Sequence, residues 1–244
     1  MEPKNLEQKN PEPKNNEMKP TRKAPFVGFW HYGVILTYLS VAAAVTGMIL
    51  STLISPFWGV VCLFVSGLCD AFDGVVAKTR KNRTVADRKF GEQIDSLSDI
   101  VAFGVAPVII GYNAGMREWY YIPVFVIFVL CALVRLAYYN VTEEERITNG
   151  GGKRTSFEGL PVTNVAVGLP IFYVIATMFK LTAPLATELI LAFAYLLIAF
   201  LFVFRFRMPK AGVRGLLITV AIVTVIVISL CLVRTYVCGV PLVS

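Results

Sequence analysis

An all-α, polytopic bundle of about seven transmembrane helices is the fold class this sequence predicts, and three observations predict it. First, 56% of the 244 residues are hydrophobic and 16% are charged, with a mean hydropathy of +0.67. That balance is too apolar for an ordinary soluble domain. Second, the apolar residues fall in runs that approach the roughly 20 residues needed to cross a bilayer. Third, the basic residues behind the net charge of +7 cluster between these runs. They do not collect on one soluble face, as nucleic-acid binding would need; they fit membrane topology and contact with anionic lipid. Lipid offers an open span no backbone partner outside its own helix, so every run reads as α-helix.

The elements follow in order. Residues 1–24 are rich in Pro, Asn, Glu and Lys, bury too little surface to offset chain entropy, and are predicted to be a disordered polar tail. That polar start predicts no secretory signal peptide. Residues 25–33 gather aromatic side chains around Gly28 and His31 and read as an interfacial juxtamembrane anchor, with His31, the sole histidine, part of it. The transmembrane domain is expected over 34–236. Its first span covers 34–54 and its second 57–76, followed by a basic loop with Lys78, Arg80, Lys81, Arg83, Arg88 and Lys89. The third span starts near 90 and runs through FGVAPVIIG; the fourth covers 119–139. A polar loop then leads to spans at 160–179, 184–204 and 213–236, and 237–244 is a short C-terminal tail. The five cysteines show no metal-ligand spacing and read as small buried residues.

Lys and Arg counts orient the chain. The N-terminal tail holds six, the 78–89 loop six, the 140–160 loop three and the 205–214 loop four. Seven crossings place all of these on one side and leave Arg117, Lys180 and Arg234 on the other. The positive-inside rule makes the basic side cytoplasmic.

Four carboxylates stand on that side. Asp70 and Asp73 are three apart at the end of the second span, and Asp95 and Asp99 are four apart at the start of the third. Both spacings stack a pair on one helix face, so two helices offer two pairs to one cleft. Gly74 and Ala77 extend the first face, and Gly91 precedes Asp95 by four, leaving bare backbone where a bulky polar ligand can lie close. Four such groups repel one another unless cations sit among them. Oxygen ligands of this kind suit one or two hard divalent ions, Mg2+ or Mn2+. Asp99 is the candidate general base for an aliphatic hydroxyl. Asp87, off both faces, reads as a solvated charge. Intramembrane acids also fit a cation pathway, and the small residues fit helix packing, so an acid-lined transporter stays open at this point.

The pattern D-x-x-D-G-x-x-A-x(13)-G-x-x-x-D-x-x-x-D, here Asp70, Asp73, Gly74, Ala77, Gly91, Asp95 and Asp99, resembles the signature of the CDP-alcohol phosphotransferase family of integral membrane enzymes. The resemblance implies a six-helix core, here with one helix added, working as a homodimer. It implies that Asp70, Asp73 and Asp95 bind metal, and that Asp99 both binds metal and takes the acceptor's proton. Asp70, Gly74 and Ala77 would lie against the cytidine of a CDP-linked lipid, with Lys78, Arg80 and Gly91 beside it. Lys78 stands where the family usually has Arg. Thr37 and Ser40 match by position a polar pair carried as N-x-x-T, which puts Ser40 in reach of the nucleotide.

SLSDIVAFGVAP, VRLAYYN (134–140) and SFEGLP (156–161) resemble runs of the phosphatidylserine synthase branch. That branch joins CDP-diacylglycerol to L-serine and releases CMP. Serine brings a carboxylate, so a cationic partner is expected; Arg135, Asn140, Lys153 and Arg154 are the candidates. The alternative acceptors within the same chemistry are glycerol 3-phosphate and an inositol phosphate.

Overall fold

In this computed structural model the described residues are 34–78, 84–150, 156–179 and 183–209, with isolated positions at 221, 224, 225 and 228. The N-terminal tail and anchor with His31, the side chain of Lys78, Arg80, Lys153, Arg154, nearly all of the 213–236 span and the C-terminal tail lie outside them.

The described chain forms seven α-helices: α1 (Ile35–Leu53), α2 (Pro56–Lys78), α3 (Val85–Asp99), α4 (Ala106–Ala114), α5 (Ile122–Thr148), α6 (Val165–Phe179) and α7 (Pro184–Val203). α3 and α4 are parts of one crossing, so six helical stretches are long and apolar enough to span a membrane, as expected up to residue 204. Their outward faces carry exposed Leu39, Leu53, Val134, Leu189 and Phe193, side chains suited to lipid.

Small residues bring α1 and α2 together. Ser40, Ala44, Gly47 and Ser51 are the buried stripe of α1. A β-carbon on Gly47 would lie 2.7 Å from that of Cys62, so this hairpin packs at backbone-limited distance. α5 and α7 meet through aromatic side chains. Tyr195 is fully buried, its ring edge-on to Phe125 and Phe128 at 5.3 and 5.0 Å, and its hydroxyl donates to the Pro107 carbonyl.

Two helix boundaries and the interior of the third crossing differ from expectation. α3 starts at Val85, five residues before the predicted span, because Thr84 caps it. Thr84 Oγ1 accepts from the Asp87 N–H at 3.0 Å, and the Asp87 side chain accepts from the Thr84 N–H at 3.1 Å. Asp87 is therefore not a solvated charge: it is buried, and it closes this capping box. α5 runs to Thr148, through what reads in sequence as polar loop. Its 27 residues extend about 40 Å, beyond the hydrocarbon core, and Glu143 pairs with Arg146 on the last turns. Between α3 and α4 the backbone winds through a π-helical turn, Ile100–Val105. Pro107 follows it; proline has no N–H and crowds the carbonyl four residues back, and a wider turn upstream relieves that crowding.

Two short strands, β1 (Ser156–Glu158) and β2 (Arg207–Pro209), pair antiparallel with Phe157 opposite Met208. They join the entrance of α6 to the exit of α7.

Candidate active site

Asp70 and Asp73 project from α2 toward Asp95 and Asp99 of α3, as the spacings predict. One cavity of about 210 Å3 is lined by all four, together with Arg135, Leu136, Tyr139, Pro161, Val162 and Thr163. Carboxylate oxygens of Asp70, Asp95 and Asp99 lie within 4.8 Å of one another. The two pairs share the cavity, so that both acids of α3 come close to Asp70 of α2. Among the described residues four carboxylates face one lining guanidinium, an imbalance that cations would offset. Three clustered oxygen donors of hard character fit a divalent ion such as Mg2+ or Mn2+.

Hydroxyls hold the α2 pair. Thr37 of α1 donates to Asp73 Oδ2 at 3.0 Å, and Thr163 donates to Asp70 Oδ2 at 2.8 Å from the 3₁₀ turn Val162–Asn164. Thr163 is not among the site residues that the sequence pattern picks out. Its only signal was its place just after the SFEGLP run.

Arg135 enters the cavity from α5 and is buried. Its Nε donates to the Leu160 carbonyl at 3.0 Å and a terminal nitrogen to the Gly159 carbonyl at 3.4 Å. Asn140, a turn and a half further on, reaches α3 instead and meets Ser96 between the two acids. Ser40 is buried against α2, its hydroxyl 2.8 Å from that of Ser66 and 3.1 Å from the Ser66 carbonyl. Neither Asn140 nor Ser40 lines the cavity. Gly74, Ala77 and Lys78 continue the α2 backbone beyond Asp73. Gly91 lies one turn before Asp95, and a β-carbon built there would meet no atom within 4 Å.

The chain matches the CDP-alcohol phosphatidyltransferase family over residues 30–227. It is 32% identical over 180 residues to an archaetidylserine synthase of Methanothermobacter thermautotrophicus, covering 73% of this chain and 66% of that protein. It is 39% identical over 110 residues to a CDP-diacylglycerol–serine O-phosphatidyltransferase of Saccharomyces cerevisiae, covering 44% and 38%. A Methanocaldococcus jannaschii protein of the same name is 32% identical over 152 residues, covering 62% and 66%. The matched part thus spans less than two thirds of these relatives' own lengths. The spaced acids that meet in the cavity all fall inside the matched range, and the chain belongs to the CDP-alcohol phosphatidyltransferase family.

Proposed function

We propose that this chain transfers the phosphatidyl group of CDP-diacylglycerol to the hydroxyl of L-serine, giving phosphatidylserine and CMP. The observation that carries this reading is the single cavity in which four carboxylates from two helices meet one buried arginine. The printed names of the relatives, serine transferases among them, support it.

Asp70, Asp95 and Asp99 would hold Mg2+ or Mn2+, with Asp73 completing a site for two ions. Such ions, when bound, neutralise pyrophosphate charge and favour departure of the CMP phosphate. Asp99 accepts the proton of the serine hydroxyl. The serine oxygen then bonds to the phosphorus that carries diacylglycerol, the bond from that phosphorus to CMP breaks, and CMP leaves.

The donor lies along the α2 and α3 faces, at Asp70, Gly74, Ala77 and Gly91, with Lys78 and Arg80 near its phosphates. Gly91 supports this placement, because no protein atom lies where its side chain would go. Ser40, on the α1 stripe, is at most an indirect support through Ser66. Arg135 meets the serine carboxylate, with Lys153 and Arg154 as companions from the following loop. A phosphorylated acceptor needs several cations to offset nearly two charges. Among the described residues Arg135 is the one cation that lines the cavity, and together with the relatives' names this supports serine over glycerol 3-phosphate or an inositol phosphate.

The acidic site opens to the cytoplasm by the distribution of Lys and Arg, and a seventh span at 213–236 completes the odd number of crossings. The family resemblance supports a homodimer. CMP release by purified protein in detergent, given CDP-diacylglycerol and L-serine, tests the reading. Release that needs serine and divalent metal supports it. Cation flux without CMP release would replace it with the transporter.

A further inference from the structure

The segment between β1 and α6 is held from several sides. Arg135 holds the carbonyls of Gly159 and Leu160. The last turn of α7 and the chain just after it hold their N–H groups: Leu160 donates to the Leu201 carbonyl at 3.2 Å, and Gly159 to that of Phe206 at 2.7 Å. Pairing of β1 with β2 fixes the approach. Gly159 has φ +74, and a β-carbon there would lie 3.0 Å from the Phe204 carbonyl oxygen. Only glycine meets both demands. The segment is thus a strap pinned through its N–H and carbonyl groups on both sides.

The strap delivers Thr163 to Asp70. Directly beside that contact, Gly67 of α2, one turn before Asp70, faces Ala166 of α6, one turn after Thr163. A β-carbon on Gly67 would stand 2.4 Å from that of Ala166, so the two backbones are as close as they can come. The Thr163–Asp70 spacing follows from that packing and the strap together. An aspartate carboxylate turns about its last bond at little cost. A hydroxyl fixed to Oδ2 leaves the other oxygen with one direction to offer a ligand.

We propose that Thr163 is a positioning residue for the cation site: its hydroxyl orients Asp70, and Arg135 and Gly159 hold the strap that carries it. This inference rests on reading the carboxylates as a divalent-cation site. Thr163 carries no charge, so its effect falls on cation affinity and acts before lipid or serine binds. Arg135 thereby has a task in the empty-handed enzyme as well as the one proposed for it toward serine.

The test is a Mn2+ titration of the purified full-length chain without substrates, reading free Mn2+ by electron paramagnetic resonance. Wild type should bind, and Asp70→Asn should weaken binding. Thr163→Val keeps the shape and loses the hydroxyl; it should raise the Mn2+ dissociation constant about tenfold or more. Thr163→Ser should restore most of the affinity. At saturating Mn2+, the serine KM of Thr163→Val should match wild type, which general loosening of the site would not leave in place. If Thr163→Val fails to fold by thermal melting, Thr163→Ala is titrated with the same criteria. Unchanged Mn2+ affinity in a folded variant overturns the inference and leaves the cation site standing. If wild type shows no Mn2+ binding that Asp70→Asn removes, the site reading and the inference fall together.

Discussion

The Asn140 side-chain amide donates through Nδ2 to Ser96 Oγ at 2.9 Å, and the Ser96 hydroxyl stands 3.2 Å from Asn140 Oδ1. The contact ties α5 to the stretch of α3 between Asp95 and Asp99. A half-buried hydrogen bond of this kind contributes about 1 kcal/mol, or about fivefold in an equilibrium. Ser96→Ala and Asn140→Ala should therefore each lower kcat by about fivefold, and the double variant should lose little more, since both remove one interaction. Steady-state kinetics on the three variants checks this. A raised serine KM in Asn140→Ala alone would instead place Asn140 on the serine itself.

Asp99→Asn removes the base while keeping the size of the side chain. Turnover should fall by about 10²–10⁴-fold, the usual contribution of a positioned proton acceptor. CDP-diacylglycerol affinity, measured by equilibrium binding, should fall less than in Asp70→Asn or Asp73→Asn. Near-normal CMP release by Asp99→Asn would contradict the assignment.

Some of this site is legible in the chain and some is not. Spacings of three and four put Asp70 with Asp73 and Asp95 with Asp99 on single helix faces, because side-chain direction repeats with the helical turn. Thr84-x-x-Asp87 was equally legible as a capping box, a purely local signal, and it turns a charge read as solvated into the start of α3. The polar letters of 141–148 concealed a helix because a crossing longer than the bilayer continues into water, where Glu143 and Arg146 belong. Thr163 on Asp70 and Arg135 on Leu160 were not legible: partners 93 and 25 residues apart meet only through tertiary packing.

Two glycines should answer differently to alanine. Gly67→Ala drives a methyl into Ala166, and overpacking of this kind costs about 1–3 kcal/mol, so the melting temperature should drop. Gly91→Ala meets open space and removes helix-destabilising glycine, so its melting temperature should hold or rise. If CDP-diacylglycerol lies against that backbone, Gly91→Ala should still weaken donor binding. Normal donor affinity in Gly91→Ala would move the lipid elsewhere.

Orientation is open to labelling. In a background lacking native cysteines, a cysteine placed at Asn82 should resist an impermeant thiol reagent in intact cells, and one placed at Ser244 should react. Labelling of both from one side would mean an even number of crossings, with the 213–236 span the first to reconsider.

Serine as the acceptor is decided by comparing acceptors one at a time. Purified protein with CDP-diacylglycerol and Mn2+ is given L-serine, glycerol 3-phosphate or an inositol phosphate in turn, and CMP release is measured over a range of each. A serine transferase should show a kcat/KM for L-serine far above the other two, and a strong rise in serine KM for Arg135→Ala. CMP release with glycerol 3-phosphate or inositol phosphate as efficient as with L-serine would contradict it.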